Sequence, residues 1–504
     1  MSIKKWSGVG KSVGNVAQLS SLEYITRQSN TITLYYKLDA LNHTHLKTPK
    51  GGIKLIDFTS GNPMKQIVVF SIPLLLGNLL QNLFQVADTI IVGRFIGGTA
   101  LAAVGSSMAI LQFLVAVLIG LATGASVVIS QFFGAKKDDE LKLTVSTSLI
   151  AMGALAIILT ILGTLGAGTM LRLLGVEDII FDDARTYLLV IMAGVTIPIY
   201  LNVYMAYMRA LGDSKTPLII LAISAVLNVV FSIMFIVMFN WGMAGVASAT
   251  LVSQSFALIA CIMISNRRIP QLKLRLNELK FDKKIFKLIV TYGVPASIQM
   301  SVTSLASLTI MRLVNSLGAV ATAGFSVGLR VENFAMMPLM NINVAIATFV
   351  GQNIGAKNIT RAKEGLVSGM KLMLGIGLFT SALILILSPE LMRMFVTPDD
   401  VNAAGIIAEG SLYLSIISMF YILFGVFFAF NGFFRGVGDQ IIVMVLTITS
   451  LIIRAVLAHV FVLGFGWGLE SVGWSIPIGW ALCGAYAFYY YKSGRWQGKA
   501  AVKQ

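Results

Sequence analysis

The stretch 130-136 reads SQFFGAK and recurs as GQNIGAK at 351-357, an offset of 221 residues. A second stretch, RALGD at 209-213, recurs as RGVGD at 435-439, an offset of 226 residues. Two marks that keep their order and spacing over so long an interval indicate an internal duplication. The sequence therefore predicts two structural halves of related fold, and we expect a binding site where the two halves face each other.

The composition indicates a polytopic membrane protein. Hydrophobic residues make up 57% of the 504 residues and charged residues only 12%, well below the roughly 25% charge of soluble domains. The net charge is +16, but the Lys and Arg residues lie between apolar runs and form no continuous patch, which argues against a nucleic-acid partner. Cys261 and Cys483 lie inside apolar stretches and are predicted to be free thiols.

The chain divides into regions of different composition. Residues 1-53 are polar, and we interpret them as a disordered leader or as the product of a start codon assigned too early, without a function of their own. The remaining regions are predicted to be a first half at 54-265, a basic cytoplasmic linker at 266-287, a second half at 288-491 and a cytoplasmic tail at 492-504.

Twelve apolar stretches are long enough to cross a bilayer, which takes about 20 helical residues for about 30 Å of hydrocarbon. We predict them at 65-93, 100-131, 140-173, 184-211, 215-239, 244-266, 284-312, 321-352, 362-395, 405-434, 440-464 and 470-491. Loops after even-numbered spans carry most of the Lys and Arg, so both termini are predicted to be cytoplasmic. The predicted fold is an all-α membrane protein in which two parallel six-helix halves are related by an axis along the membrane normal.

The first span carries a stripe of polar residues. Asn78, Gln81, Asn82, Gln85 and Asp88 are separated by 3, 1, 3 and 3 residues, so they fall on one helix face. A charged group at bilayer depth costs about 2.5 kcal/mol or more. The carboxylate must therefore line a wet cavity, pair with a cation or take a proton. We interpret the stripe as a functional site, and the alternative is that it packs against polar groups of neighbouring helices.

Other polar residues within the spans favour structural roles. Asn202 and Asn228 are interpreted first as interhelical hydrogen-bonding groups. For Arg330, Glu332 and Arg454 in the second half, we favour an ion pair of Glu332 with one of the arginines over a substrate role. The sequence has no Walker lysine after a glycine loop, no Cys/His cluster with metal-ligand spacing and no Ser-His-Asp arrangement, so we expect neither an enzyme nor a bound cofactor.

Taken together, these motifs resemble the multidrug and toxic compound extrusion (MATE) family over about 57-492. The resemblance rests on the two duplicated motifs and on FSIP at 70-73 followed by VADTIIVGR at 86-94. It implies two six-helix bundles around a V-shaped central cavity, and export of an organic cation in exchange for protons or sodium. It also implies that Asp88 is the coupling residue and that a first-half pocket contains Gln81, Tyr187, Asn202 and Asn228.

The sequence departs from the family pattern at three acidic positions. Ser232 stands where the fifth span often carries Asp, Thr303 where sodium-dependent branches carry Glu in the seventh span, and Phe424 where an acid is expected in the tenth. The resemblance therefore gives little support to a sodium site in the second half. Asp88 becomes the main coupling candidate, and Glu332 a lesser one.

The leading hypothesis is a monomeric multidrug antiporter of the cytoplasmic membrane that exports organic, often cationic and amphipathic compounds. Its coupling ion would be a proton or sodium, with sodium binding at Asp88. An alternative is a flippase for a lipid-linked precursor, which would need a cationic cavity and would be favoured if Arg330 and Arg454 both faced it. A third possibility, a membrane sensor or scaffold, is not supported by any extramembrane domain.

Overall fold

Fourteen α-helices make up the part of the chain that the computed structural model describes, which is residues 55-273, 276-397 and 400-502, with only the backbone of Ala109, Phe113 and Leu276. The predicted leader at 1-53 lies outside the described residues. Helices of the first half are α1 Pro63–Phe95, α2 Gly98–Gly134, α3 Asp138–Leu173, α4 Asp178–Ala193, α5 Thr196–Ala210, α6 Lys215–Ile233 and α7 Gly242–Arg268. Helices of the second half are α8 Lys283–Asn315, α9 Ala319–Gly355, α10 Ile359–Arg393, α11 Ala403–Ser418, α12 Tyr421–Val437, α13 Gln440–Phe465 and α14 Glu470–Lys492.

The structure refines the prediction of twelve spans. In the described residues nine helices are long and apolar enough to cross a membrane, and the bent pairs α4–α5 and α11–α12 raise the number to eleven. The stretches at 184-211 and 405-434, each predicted as one helix, are thus two helices with bends of 54° and 55°. Helix α14 has 23 residues and corresponds to the twelfth predicted span. Its Gly, Ser and Tyr residues lower its mean hydropathy, so it is not among the helices counted as apolar enough to cross a membrane.

Proline explains the first of these bends. Pro198 lies in the first turn of α5 and has no N–H to donate to the carbonyl of Gly194, so one hydrogen bond that would continue the helix from α4 is missing at the bend. The second bend occurs between Ser418 and Tyr421, at the equivalent position of the second half.

Local geometry repeats between the halves, as the sequence predicts. Lys136 and Lys357, which end the two GAK motifs, both adopt left-handed φ angles of 56° and 59°. The ring of Trp241 stacks on Phe235 with the centroids 5.0 Å apart, and Trp467 packs on Phe461 at the same 5.0 Å. The duplication is therefore a duplication of turns and side-chain contacts as well as of helices.

The first helix of each half begins in the hydrophobic core of the other half. The core of the second half contains Phe58, Ile67 and Phe70 from α1 and the segment before it. The core of the first half contains Ile289 from the start of α8 and Val502 from the tail. The division into 54-265 and 288-491 remains a sequence-based one, because packing joins each half to the first helix of the other.

The C-terminal ends of α2 and α9 cross closely at the end of the molecule that holds both described termini. A Cβ atom at Gly134 would overlap the carbonyl oxygen of Gln352, and one at Gly355 would overlap that of Gln131. We call these four residues the crossing layer. Only glycine permits this approach, because the clash would be with backbone atoms that have no freedom to move aside.

Each glutamine of the crossing layer binds the opposite half. Gln131 Nε2 donates to the carbonyls of Gly436 and Val437 at the end of α12, at 2.9 and 3.0 Å, and its Oε1 accepts from the Ala501 N–H at 2.7 Å. Gln352 Nε2 donates to the carbonyl of Ala210 at the end of α5 at 3.0 Å. These side chains satisfy carbonyls that a helix terminus leaves without partners.

The same layer binds the segment that precedes α1. Gln352 Oε1 accepts from the N–H of Phe58 at 3.3 Å, which mirrors the bond between Gln131 and Ala501 in the tail. Asn353 Nδ2 donates to the Phe58 carbonyl at 3.0 Å. Hydrogen bonds therefore connect both described termini to the crossing layer.

The linker between the halves also forms hydrogen bonds with neighbouring helices. Helix α7 ends at Arg268, and α8 begins at Lys283 with Asp282 as its cap, since the Asp282 carboxylate accepts from the Ile285 N–H at 2.8 Å. The Lys280 N–H donates to Ser146 on α3 at 2.6 Å. The first and last residues of the segment predicted as a linker at 266-287 therefore belong to α7 and α8, and the segment packs on the first half.

Candidate functional site

Helix α1 places the polar stripe along the boundary between the two halves. The helix starts after Asn62, whose side chain accepts from the Lys65 N–H at 3.1 Å, and it packs on both α6 and α9. Asn78 on the stripe donates to Asn341 on α9 at 3.0 Å. The stripe thus contacts the opposite half through Asn78.

A central cavity of about 310 Å³ lies between the halves. Helices α1, α2 and α5 of the first half and α8, α9 and α12 of the second contribute to its walls. Its polar lining includes Asn78, Gln81, Asn202, Arg209, Asn341 and Arg435. No Asp or Glu is among the described residues that line it.

A smaller cavity of about 120 Å³ lies within the first half, among α1, α5, α6 and α7. It shares Asn78, Gln81, Asn202 and Arg209 with the central cavity and adds Ser224 and Gln254. The structure thus brings three of the predicted site residues, Asn78, Gln81 and Asn202, to the walls of two adjoining cavities.

The remaining stripe residues Asn82, Gln85 and Asp88 lie further along α1 and do not line either cavity. Asp88 is seven residues beyond Gln81, which corresponds to about 10 Å along a helix axis. One carboxylate oxygen of Asp88, Oδ1, is buried without a hydrogen-bond partner in the described residues. Tyr187 on α4 is buried close enough to Asp88 for its phenol to interact electrostatically with the carboxylate.

Asn228 and Asn202 have different environments. Asn228 on α6 is buried, donates to Thr250 on α7 at 3.3 Å and accepts from Ser232 at 3.3 Å. Asn202 donates to the Pro198 carbonyl of its own helix at 2.9 Å and is otherwise exposed to the cavities. Asn228 connects two helices, whereas Asn202 leaves its amide oxygen for a ligand.

The predicted polar cluster of the second half is only partly assembled. Glu332 on α9 accepts from the hydroxyl of Tyr413 on α11 at 2.6 Å and interacts electrostatically with Arg454 on α13. The Arg454 Nε is buried without a hydrogen-bond partner in the described structure, and Arg330 is exposed. Neither Arg330 nor Arg454 lines the central cavity.

Sequence reasoning missed the two arginines that do line the central cavity. Arg209 and Arg435 are the first residues of the duplicated RxxGD motifs. From the sequence they are predicted to be loop residues whose positive charges indicate the orientation of the chain in the membrane. The structure places them in the last turns of α5 and α12, on the cavity wall. The repeat of the arginine was the sequence signal that could have identified them as site residues, because a residue repeated in both halves occupies equivalent positions in two halves that face each other.

The MatE family model matches the chain twice, at residues 73–234 and 295–460. The two matches start at Pro73 and Pro295, the prolines inside α1 and α8. The chain belongs to the MATE family of transporters. The family assignment confirms the resemblance predicted from the motifs, and the paired matches coincide with the duplication.

Similar proteins support this assignment over most of the chain. The "Probable multidrug resistance protein YpnP" of Bacillus subtilis is 32% identical over 449 residues, which is 88% of this chain and 98% of the relative. A FAD transporter of Shewanella oneidensis is 24% identical over 313 residues, 60% of this chain and 68% of the relative. The solved outward-facing conformation of a multidrug resistance MATE family transporter is 25% identical with a TM-score of 0.80, covering 89% of this chain and 98% of that one.

This MATE protein is therefore a multi-pass membrane transporter of small molecules and not an enzyme. Its all-α fold, predicted from hydropathy, is confirmed.

Proposed function

We propose that this MATE transporter is a secondary active antiporter that exports amphipathic organic compounds in exchange for protons or sodium by alternating access. It acts as a monomer in the cytoplasmic membrane with both termini on the cytoplasmic side, as the distribution of Lys and Arg in the loops indicates. On this orientation the crossing layer is the cytoplasmic closure of the central cavity.

The observation that carries the proposal is the unpartnered carboxylate of Asp88. Its Oδ1 is buried and unbonded on the same helix that lines the central cavity through Asn78 and Gln81. A carboxylate in this position is stabilised by a proton or a metal cation, and occupancy by either changes the charge that a cargo meets on α1. Coupling follows if the ion and the cargo have different affinities for the two states of the transporter.

The test is efflux in inside-out vesicles with an imposed proton gradient and, separately, an imposed sodium gradient, with ethidium as cargo. We expect one gradient to drive ethidium transport in the unmodified protein and Asp88→Asn to abolish this response while the protein stays in the membrane. Asp182→Asn, at an exposed carboxylate of α4, is the matched control and should transport normally. Normal gradient-driven transport by Asp88→Asn would refute the coupling role.

Glu332→Gln separates the two coupling candidates. The amide retains an acceptor for the Tyr413 hydroxyl, so the helix contact survives while the charge is removed. We expect gradient-driven efflux to persist in this variant, and its loss would move the coupling site to the second half.

The flippase alternative has one observation in its favour. The arginines that the sequence offered for it, Arg330 and Arg454, do not line the central cavity, but Arg209 and Arg435 do. A cavity with two guanidinium groups suits an anionic head group. Among the relatives, the FAD transporter shows that family similarity extends beyond proteins named for multidrug resistance, so the cargo must be inferred from the cavity itself.

A further inference from the structure

The duplication brings two arginines to one cavity. Arg209 and Arg435 occupy equivalent positions, one motif repeat apart, in the last turns of α5 and α12. Both side chains are partly buried, and both line the central cavity together with the neutral amides Asn78, Gln81 and Asn341. Two positive charges from opposite halves thus line one cavity.

Neither guanidinium has a hydrogen bond or an ion pair to another described residue, and the Nε of Arg435 is buried without a partner. The aspartates of the same motifs make other hydrogen bonds, and Asp213 Oδ2 is itself buried without a partner in the described residues. Asp213 accepts from the Lys215 and Thr216 N–H groups at 3.1 and 3.0 Å, and Asp439 accepts from the Tyr490 hydroxyl at 2.6 Å.

The helix carbonyls beside the arginines are also occupied. An arginine in a last helical turn commonly donates to the terminal carbonyls, but here Gln352 binds the Ala210 carbonyl, and Gln131 binds those of Gly436 and Val437. The crossing-layer glutamines thus occupy one acceptor position of each of these carbonyls, and neither guanidinium donates to a described residue.

A partly buried charge without a protein counter-charge is costly, and an anion between the two arginines removes that cost. Guanidinium groups match the planar, two-oxygen geometry of carboxylate and phosphate. We propose that Arg209 and Arg435 bind an anionic group of the exported molecule, a carboxylate or a phosphate, in the central cavity. This inference rests on the proposed export function and specifies the class of cargo.

The placement of Asp88 extends the argument to the rest of the cargo. Asp88 lies beyond Gln81 on α1, about 10 Å from the cavity level along the helix. A molecule with its anionic group between the arginines and a cationic group toward Asp88 has complementary charges at both ends. The transporter should therefore prefer zwitterionic or anionic amphipathic compounds over purely cationic ones.

The test compares norfloxacin, which carries a carboxylate, with norfloxacin ethyl ester, which lacks it. Binding is measured on the purified full chain in nanodiscs of neutral lipid. We expect the unmodified protein to bind norfloxacin about 100-fold more tightly than the ester, and Arg209→Gln or Arg435→Gln to reduce this preference about tenfold each. Arg393→Gln, at an exposed arginine near the end of α10, is the control and should retain the full preference.

Arg209→Lys and Arg435→Lys keep the charge and guard against misfolding. We expect these variants to keep part of the preference and to elute as the unmodified protein does in size exclusion. Equal binding of norfloxacin and its ester by the unmodified protein would overturn the proposal, as would a failure of both norfloxacin and inorganic pyrophosphate to bind. A preference that survives in the double Arg→Gln variant would also overturn it.

A second set of nanodiscs with phosphatidylglycerol separates the two sources of the anion. Weaker norfloxacin binding in these nanodiscs, dependent on both arginines, would support the anion site with a lipid head group as its occupant. Unchanged binding would support a cargo carboxylate or phosphate. Norfloxacin binding in nanodiscs requires no ion gradient, so its dependence on the two arginines tests the anion site, whereas gradient-driven transport tests the antiport function separately.

Discussion

The crossing layer allows a quantitative prediction for Gln131→Ala. The substitution removes three hydrogen bonds, of which two go to the carbonyls of Gly436 and Val437 in the second half and one comes from the N–H of Ala501 in the tail. If each contributes a net of about 1 kcal/mol, the closed state that we propose for the cytoplasmic side loses about 3 kcal/mol relative to an open state that lacks these bonds. Since about 1.4 kcal/mol corresponds to a tenfold change, the open population should rise about 100-fold.

A cysteine at Ser126, which lines the central cavity, reports that population. The native Cys261 and Cys483 are buried, so they give little background. The rate of reaction with a membrane-impermeant maleimide is measured in inside-out vesicles, whose outer face is the cytoplasmic one. We expect a rise of at least about tenfold in the Gln131→Ala background, allowing for incomplete loss of the bonds.

Gln299→Ala is the matched control. Gln299 donates a single hydrogen bond to Thr447, and both residues belong to the second half, so the closure should not change. A cytoplasmic reaction rate in Gln131→Ala that equals the rate in Gln299→Ala would refute the assignment of the crossing layer as the closure.

Two further substitutions test the packing on which this geometry depends. Gly134→Ala should prevent normal closure because its Cβ would overlap the Gln352 carbonyl, whereas the Cβ of Gly375→Ala in α10 would meet open space, so this control should be neutral or stabilising. The two variants are compared by cytoplasmic maleimide access and by the yield of folded protein. Equal behaviour of the two variants would show that the close crossing is absent. Phe58→Ala should destabilise the protein by about 3 to 5 kcal/mol, because the buried ring packs edge-on against Phe70 and Phe349 at 5.3 and 5.5 Å. The exposed Phe379→Ala is its control in thermal denaturation, and an unchanged denaturation temperature for Phe58→Ala would argue against the exchange of first helices between the cores.

The sequence alone determined the duplication, the all-α membrane fold and the polar face of α1, because each depends on residue spacing within one helix or on the repeat of a motif. Hydropathy also located the spans, but it did not show that the spans α4–α5 and α11–α12 are each bent. A hydropathy window records apolar content and does not register a bend of 54° or 55° within it. The sequence likewise selected Asn78, Gln81 and Asn202, which the structure brings to the cavities.

Only the tertiary structure decided which polar groups meet across the halves. Gln131 binds carbonyls 305 and 306 residues away, and Gln352 binds one 142 residues away. These pairings are set by the angle and depth at which α2 and α9 cross, which no periodicity within either helix encodes. The same packing of the two halves places Arg209 and Arg435 on the wall of the cavity between them, which their position near the predicted helix ends did not indicate.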